Sequence, residues 1–409
     1  MSGNEPTEPR SRRLLLADAD AFFVAVARLD DPEGAGRAPL LIVGGSAEGR
    51  GVVTSASYEA RIYGVRSAMP MAQALRLCPG ATRVPVPRAA CVRRSREIRA
   101  VLERFTPVVV PASIDEFYLD LSGTEALYRR ETLEGTARRI REAVIGETRL
   151  AVSFGGGTSR LVAKLAAERA KPAPSGTGSG VYVVPPGGEA DFLAEQDLAA
   201  IPSIGPAFQQ RLAAKGLRRV RDVLPYPETQ LVAWFGRGTG RWLHRVARGR
   251  DTSSLTRRPH SRSMGHEETF ATDIDADEAL ERELARLAAQ VAREVRAHGF
   301  RARTVTVKLR DADFTTRQAS RTLPQAVAAD APIRRTALSL LRRLRTRRRT
   351  PARLLGVSVS GLETDAGGQL ALFDAPAPEV ETERERTLAR TLDTINAQRR
   401  RIRTGRELQ

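Results

Sequence analysis

Three carboxylates hold the clearest promise of chemistry in this 409-residue chain. Asp18 follows the apolar run Leu14-Leu15-Leu16-Ala17, and the adjacent pair Asp115 and Glu116 precedes the run Phe117-Tyr118-Leu119. Like charges a few ångströms apart raise one another's pKa unless cations neutralise them. Hard oxygen ligands, in a chain with only four histidines and two cysteines, point to Mg²⁺ or Mn²⁺ rather than zinc. Two such metals about 4 Å apart are the standard device for in-line phosphoryl transfer: one activates an attacking hydroxyl, the other stabilises the leaving pyrophosphate. Aspartate is also a common turn and cap residue, and position alone leaves that reading open.

Whether the three groups meet depends on the elements that carry them. The run at 14–17 reads as a strand buried on both faces. It is followed by a helix at 20–28, a short hairpin (40–43 and 51–55) around a Gly-rich turn, and helices at 56–63 and 70–77. A long amphipathic helix (88–104) then precedes strands at 107–112 and 116–121, a helix at 131–145 and a strand at 149–155. With 20–86 treated largely as an insertion, the order is βαββαβ, the ferredoxin-like arrangement. Right-handed crossovers make its first and third strands antiparallel neighbours. The end of one then lies beside the start of the other, so topology alone brings Asp18, Asp115 and Glu116 to one sheet edge. Gly155-Gly156-Gly157 is followed by no Gly-Lys-Ser/Thr, and it reads as a strand-to-helix turn rather than a phosphate loop.

Beyond a Pro/Gly/Ser-rich break at 171–180 come a strand near 181–184, a helical block to about 250 and a polar linker at 252–260. A second α+β unit follows at 261–362, with strands at 302–310, 314–321 and 353–361 and helices at 276–298 and 331–346. Residues 1–11 read as disordered, and 363–409 as a flexible tail with a charged terminal helix. The expected class is α+β, multidomain.

Longer strings narrow the chemistry. Asp18-Ala-Asp-Ala-Phe-Phe23, the segment from Val53 through Tyr58 and Arg61 to Pro70, and Ser113-Ile-Asp115-Glu116-Phe-Tyr-Leu-Asp120 closely resemble the three catalytic motifs of Y-family DNA polymerases of the DinB, or DNA polymerase IV, type. The resemblance continues through Lys164, Lys171-Pro172, Ile201-Pro-Ser-Ile-Gly205 and the segment from Arg262 to Phe270, in the family order. It implies a ferredoxin-like palm (12–26 and 81–186), inserted small fingers (27–80), a helix-hairpin-helix thumb (187–251) and an α+β little finger (261–362). The implied activity is template-directed, error-prone translesion DNA synthesis, transferring a nucleotide from dNTP to a primer 3′-OH.

Carried over residue by residue, the resemblance implies that Asp18, Asp115, Glu116 and the carbonyl of Ala19 bind two Mg²⁺, with Mn²⁺ able to substitute. Phe23 matches the steric gate that excludes a 2′-hydroxyl, whereas core packing suits Phe22, also counted with the dNTP-binding set. Ser55, Tyr58, Arg61 and Lys171 complete that set, Tyr58 and Arg61 sharing one helical face. Arg66 and Arg160 read as structural or solvated charges. Ile204 and Gly205 would offer backbone N–H groups to a DNA phosphate, and Arg262, Arg301, Arg303, Arg317 and Arg321 would face DNA. In the tail, Gln369, Leu370, Leu372 and Phe373 resemble the bacterial sliding-clamp-binding motif. The sequence departs from the family pattern at Ala27, at Ser203 where Gly is expected, and in the Gly/Ser stretch after Lys171-Pro172. The competing reading, a catalytically silent scaffold that recruits another polymerase through the clamp, would be expected to have lost the carboxylates, and all three are here.

Charge agrees with a polyanionic partner: 66 basic and 48 acidic residues give +18, and 62 of the basic residues are arginine, since Lys164, Lys171, Lys215 and Lys308 are the only lysines. Residues 255–362 carry +10 of that excess, from 22 basic and 12 acidic residues. Cys78 and Cys91 make neither a disulfide framework nor a zinc set. The apolar stretch 14–27 is too short for a bilayer and contains Asp18 and Asp20, so no membrane partner and a cytoplasmic location are expected. The expected oligomeric state is a monomer.

Overall fold

In the computed structural model the apolar run near the N-terminus becomes β1 (Leu14–Ala19), with every residue buried. The described residues are 12–129, 131–172, 177–251, 253–255, 261–364 and 380–406. They fall into two units, Met1–Arg257 and Arg258–Gln409.

Burial of β1 follows from its central place in a five-stranded sheet ordered β5-β6-β1-β7-β8. Its antiparallel neighbours are β6 (Glu116–Asp120) and β7 (Val152–Gly157). The outer strands are β5 (Val109–Pro111), antiparallel to β6, and β8 (Val181–Val183), parallel to β7. Without β8 this is the ferredoxin-like order that right-handed crossovers require. Helices α1 (Phe22–Asp30), α4 (Arg88–Leu102) and α5 (Leu133–Thr148) give Phe22, Val26, Ile98, Leu102, Ile140 and Val144 to a core beneath the sheet.

The insertion builds a second, three-stranded sheet. Its centre is β2 (Leu41–Gly44), with β3 (Val53–Ala56) antiparallel and β4 (Thr82–Val84) parallel to it. The sheet therefore reaches residue 84, past the expected finger boundary at 80. Helices α2 (Tyr58–Ile62) and α3 (Met71–Leu77) cover it, with Met71 and Ala74 buried against Ile42 and Val53.

Gly155-Gly156-Gly157 is part of β7 and makes no turn. A Cβ on Gly155 would lie 2.1 Å from the carbonyl oxygen of Ala163 and 2.0 Å from the nitrogen of Ala167. These glycines let α6 (Arg160–Ala170) lie directly on the strand. The same helix gives Leu161, Val162 and Leu165 to the core of the helical segment that follows. That segment comprises α7 (Glu189–Ala194), α8 (Pro206–Ala213), α9 (Val220–Val223), α10 (Glu228–Phe235) and α11 (Arg237–Val246). Part of the expected linker is docked: Leu255 is buried against Leu14, Leu16 and Tyr118.

The second unit contains β9 (Ser263–Ile274), α12 (Asp277–Ala297), β10 (Phe300–Asp311), β11 (Thr316–Val327), α13 (Asp330–Arg347) and β12 (Ala352–Thr364). Its antiparallel sheet, β11-β10-β12-β9, packs one face on the two helices through Leu284, Val291, Val305, Val307, Leu340 and Val357. The terminal helix α14 (Glu383–Arg406) is docked rather than free. Arg296 binds Asp393, Arg335 binds Glu385, Ala389 is buried, and the buried Glu381 pairs with Arg301.

Candidate active site

Register places Asp18 of β1 directly opposite Glu116 of β6. One residue on, the backbone N–H of Ala19 donates to the carbonyl of Asp115 at 3.0 Å. The three carboxylates of the sequence analysis thus share one sheet edge. Asp18 is buried, while Asp115 and Glu116 are partly exposed. The turn before β6 is fixed by Ser113: its Oγ accepts the N–H groups of Asp115 (3.2 Å) and Glu116 (3.1 Å), and its hydroxyl donates to the Asp115 carboxylate.

Two lysines converge on this edge from α6 and its C-terminal end. Lys164 Nζ donates to Asp18 Oδ2 at 3.1 Å, Glu116 Oε1 at 3.0 Å and Glu168 Oε1 at 3.1 Å. Lys171 Nζ lies 2.9 Å from Asp18 Oδ2 and 2.8 Å from Glu168 Oε1. Burial alone would depress the Lys164 ammonium, but attraction to Asp18, Glu168 and Glu116 outweighs it and holds the pKa above the ordinary lysine range. Lys171 is raised in the same way, against its burial, by Asp18 and Glu168. Burial pushes the pKa of Asp20 up, with the neighbouring Asp18 adding to it and the Ser153 hydroxyl, 2.8 Å away, opposing it. Sequence reasoning assigned no role to Glu168 or Asp20. The spacing of Glu168, four residues after Lys164 and three before Lys171, was the signal available.

Asp18 and Glu116 aim oxygens at a single point that a cation, Lys164 Nζ, already fills. The donor set is hard and anionic, and in that respect suits Mg²⁺ or Mn²⁺. Among the described residues, no three acidic, histidine or cysteine side chains stand ready as a ligand set. Asp115 accepts the Ser113 hydroxyl at one of its two carboxylate oxygens, Oδ1.

Between β1 and α1, Ala21 adopts left-handed φ 44° and ψ 44°. Such strain in a non-glycine residue gathers at functional sites. The turn sends the Phe22 ring into the core, as its expected packing role requires. Phe23 stands edge-to-face on it, with centroids 5.5 Å apart, and is partly exposed. Across from them, the Arg61 guanidinium lies 4.8 Å from the Tyr58 ring centroid, and its Nε donates to the Ala56 carbonyl at 3.0 Å. Burial, then the nearby Asp20, hold the Tyr58 hydroxyl well above its ordinary pKa, with Arg61 opposing, so Tyr58 belongs to the same electrostatic site. Ser55 is buried on β3. Arg66 is structural, donating to the carbonyls of Arg61 and Val65.

Arg160 is not a solvated charge: it stacks 4.5 Å over Tyr118 and donates to the Ser254 carbonyl at 3.1 Å. Both residues line a cavity of about 320 Å³ that runs from Lys164 to the hairpin, with Ser203, Trp242 and Asp251 on its wall. In the hairpin Ile204 is buried, Gly205 caps α8, and Ser203 takes φ 76°, a conformation natural to the glycine expected there.

In the second unit two expected DNA contacts are internal. Arg317 binds the fully buried Asp311 and the carbonyl of Leu344, and Arg301 binds the Ala326 carbonyl and Glu381. Between Ala302 and Thr304 the β10–β11 register slips, with three extra residues on β11, while β10 keeps its register with β12. Arg303 pairs with Glu363, while Arg262 and Arg321 are exposed. The sheet face away from the helices carries Thr304, Thr306, Lys308 and Arg310 of β10 beside Ser320 and Thr322 of β11, a polar surface not singled out from the sequence. Gln369, Leu370, Leu372 and Phe373 lie outside the described residues.

The chain is similar to known proteins over most of its length. Residues 17–168 match the impB/mucB/samB family, 261–372 its C-terminal domain, and 199–251 the DNA polymerase-iota thumb domain. The DNA polymerase IV of Halorhodospira halophila is 40% identical over 355 residues, covering 86% of this chain and 96% of that protein. The DNA polymerase IV of Alkalilimnicola ehrlichii is 37% identical over 366 residues, covering 88% and 99%. A Y-family DNA polymerase chimera superposes with a TM-score of 0.76 at 24% identity, over 86% of this chain and 100% of that one. DinB from Sulfolobus solfataricus does so with 0.56 at 25%, over 85% and 98%. Taken with these matches, a ferredoxin-like sheet with an acidic edge, an inserted small sheet and a hairpin-bearing helical segment are the parts of a template-directed polymerase. The chain belongs to the Y family of DNA polymerases, among those called DNA polymerase IV, and it is an enzyme of translesion DNA synthesis. No described helix is long and apolar enough to cross a membrane.

Proposed function

We propose that Asp18, Asp115, Glu116 and the carbonyl of Ala19 hold two Mg²⁺, with Mn²⁺ able to substitute, for nucleotidyl transfer from dNTP to a primer 3′-OH. The observation that carries this is the β1–β6 register, which sets Asp18 against Glu116 and ties Ala19 to Asp115. When bound, the metals lower the pKa of the attacking hydroxyl and neutralise the leaving pyrophosphate. The chain's own residues orient the nucleotide. Tyr58, Arg61 and Lys171 grip its triphosphate, Ser55 lines the floor beside them, and Phe23 closes against the sugar where a 2′-hydroxyl would sit.

The hairpin offers the N–H of Gly205 to a backbone phosphate, which gives grip without sequence readout, and that of Ile204 joins it by sharing the bond it donates to the Ile201 carbonyl at 3.1 Å. In the second unit, Arg262, Arg321 and the polar sheet face with Lys308 and Arg310 bind primer-template DNA. The palm, fingers, thumb and little finger take the boundaries expected above, with the fingers extended to residue 84. Gln369–Phe373 binds a sliding clamp, which would raise the enzyme's local concentration at primer ends. The enzyme works as a cytoplasmic monomer.

Primer extension with dNTPs and Mg²⁺ should be abolished by Asp115→Ala and by Glu116→Ala, with the fold intact by circular dichroism. Activity persisting in both variants would overturn the ligand assignment.

A further inference from the structure

Glu168 lies outside the β1–β6 edge, yet a single oxygen of its carboxylate, Oε1, accepts from both lysines of the site, Lys164 at 3.1 Å and Lys171 at 2.8 Å. Helix geometry explains the meeting. Lys164 and Glu168 are one turn apart on the same face of α6. Lys171 is three residues further on, where the chain leaves helical geometry with φ −61° and ψ 157°. An ammonium has three N–H donors, and Lys164 directs its three at Asp18, Glu116 and Glu168. Lys171 divides its contacts between Asp18 and Glu168.

We infer that Glu168 is a positioning residue for the incoming nucleotide, holding Lys171 turned into the site where it meets the triphosphate. The inference rests on the assignment of Lys171 to the triphosphate made above. An ammonium held by Asp18 alone would compete for an oxygen assigned to metal. Glu168 gives it an anchor on the helix side, so that Lys171 stays in place when Asp18 is engaged elsewhere. It also fixes a long, rotatable side chain before the nucleotide arrives, and pre-organisation of this kind appears in nucleotide affinity rather than in turnover.

The test is a double-mutant cycle on the full chain with Glu168→Gln, Lys171→Ala and the pair, alongside Glu168→Asp. Three quantities are measured: kcat and KM for dNTP in primer extension, and dNTP affinity of the DNA-bound protein in Ca²⁺, without turnover. Glu168→Gln should raise both KM and the Ca²⁺ dissociation constant about fivefold, the scale of a partly exposed ion pair, with kcat within about twofold. Glu168→Asp should recover part of the loss, and the double variant should be no worse than Lys171→Ala. An unchanged KM in Glu168→Gln beside a raised KM in Lys171→Ala overturns the inference and leaves the triphosphate assignment standing. Multiplicative effects in the double variant overturn it as well, because Glu168 would then act independently of Lys171. An unchanged KM in Lys171→Ala removes the triphosphate assignment itself, and the inference with it.

Discussion

Phe23 is held from behind by its edge-to-face contact with the buried Phe22, 5.5 Å between centroids, so its ring cannot retreat into the core. A rigid wall discriminates by exclusion: a 2′-hydroxyl placed against it loses its hydration and meets no partner. Phe23→Ala should therefore admit rNTPs, raising the rNTP/dNTP ratio of kcat/KM by at least tenfold in single-nucleotide insertion assays. An unchanged ratio would refute the gate. Much of this site is readable from residue strings, because Asp18, Phe23, Tyr58 and Arg61 sit in compact motifs. What escapes is whatever depends on environment. Asp20 carries the same letter as Asp18, but its carboxyl is buried against Ser153 Oγ, on a strand more than 130 residues away in sequence.

At the scale of elements, the convergence of the carboxylates is legible because two apolar runs and a handedness rule suffice to order the strands. The lysine network is not, since it depends on how closely and in what rotation α6 lies on β7. Gly155 decides that, its missing Cβ being the space that the backbone of Ala163 and Ala167 occupies. A glycine triplet looks like a turn in sequence, and only the neighbouring helix reveals it as a contact. Ser203 presents the reverse case. The departure from glycine is visible in sequence, and the fold absorbs it by keeping the left-handed φ of 76°. That conformation costs a non-glycine residue about 1–2 kcal/mol, partly offset by glycine's extra freedom in the unfolded chain. Ser203→Gly should accordingly raise stability by about 1 kcal/mol in urea unfolding. Affinity for primer-template should be preserved, because the phosphate contact proposed for the hairpin uses main-chain N–H groups and not the side chain at 203. A variant less stable than the parent would show that the Ser203 side chain carries an interaction worth more than the strain.

At the scale of the molecule, the +18 is less open than its total suggests. In the second unit Arg286, Arg296, Arg303, Arg342, Arg345 and Arg348 each have a carboxylate within ion-pair distance, as do Arg301 and Arg317. Charge counting along a chain cannot distinguish an arginine that faces solvent from one spent on a buried partner such as Asp311. DNA affinity measured against salt separates the two kinds. Each phosphate neutralised contributes about one to the slope of log K against log salt. Arg310→Ala, on the polar sheet face, should reduce that slope by about one while leaving the unfolding midpoint nearly unchanged. Arg317→Ala should leave the slope intact and destabilise the fold by about 2 kcal/mol, because it removes a bidentate partner from a fully buried carboxylate that then keeps only Arg348. A reduced slope in a folded Arg317→Ala protein, with no change in Arg310→Ala, would move the DNA-binding surface from the open sheet face to the helix side of β11.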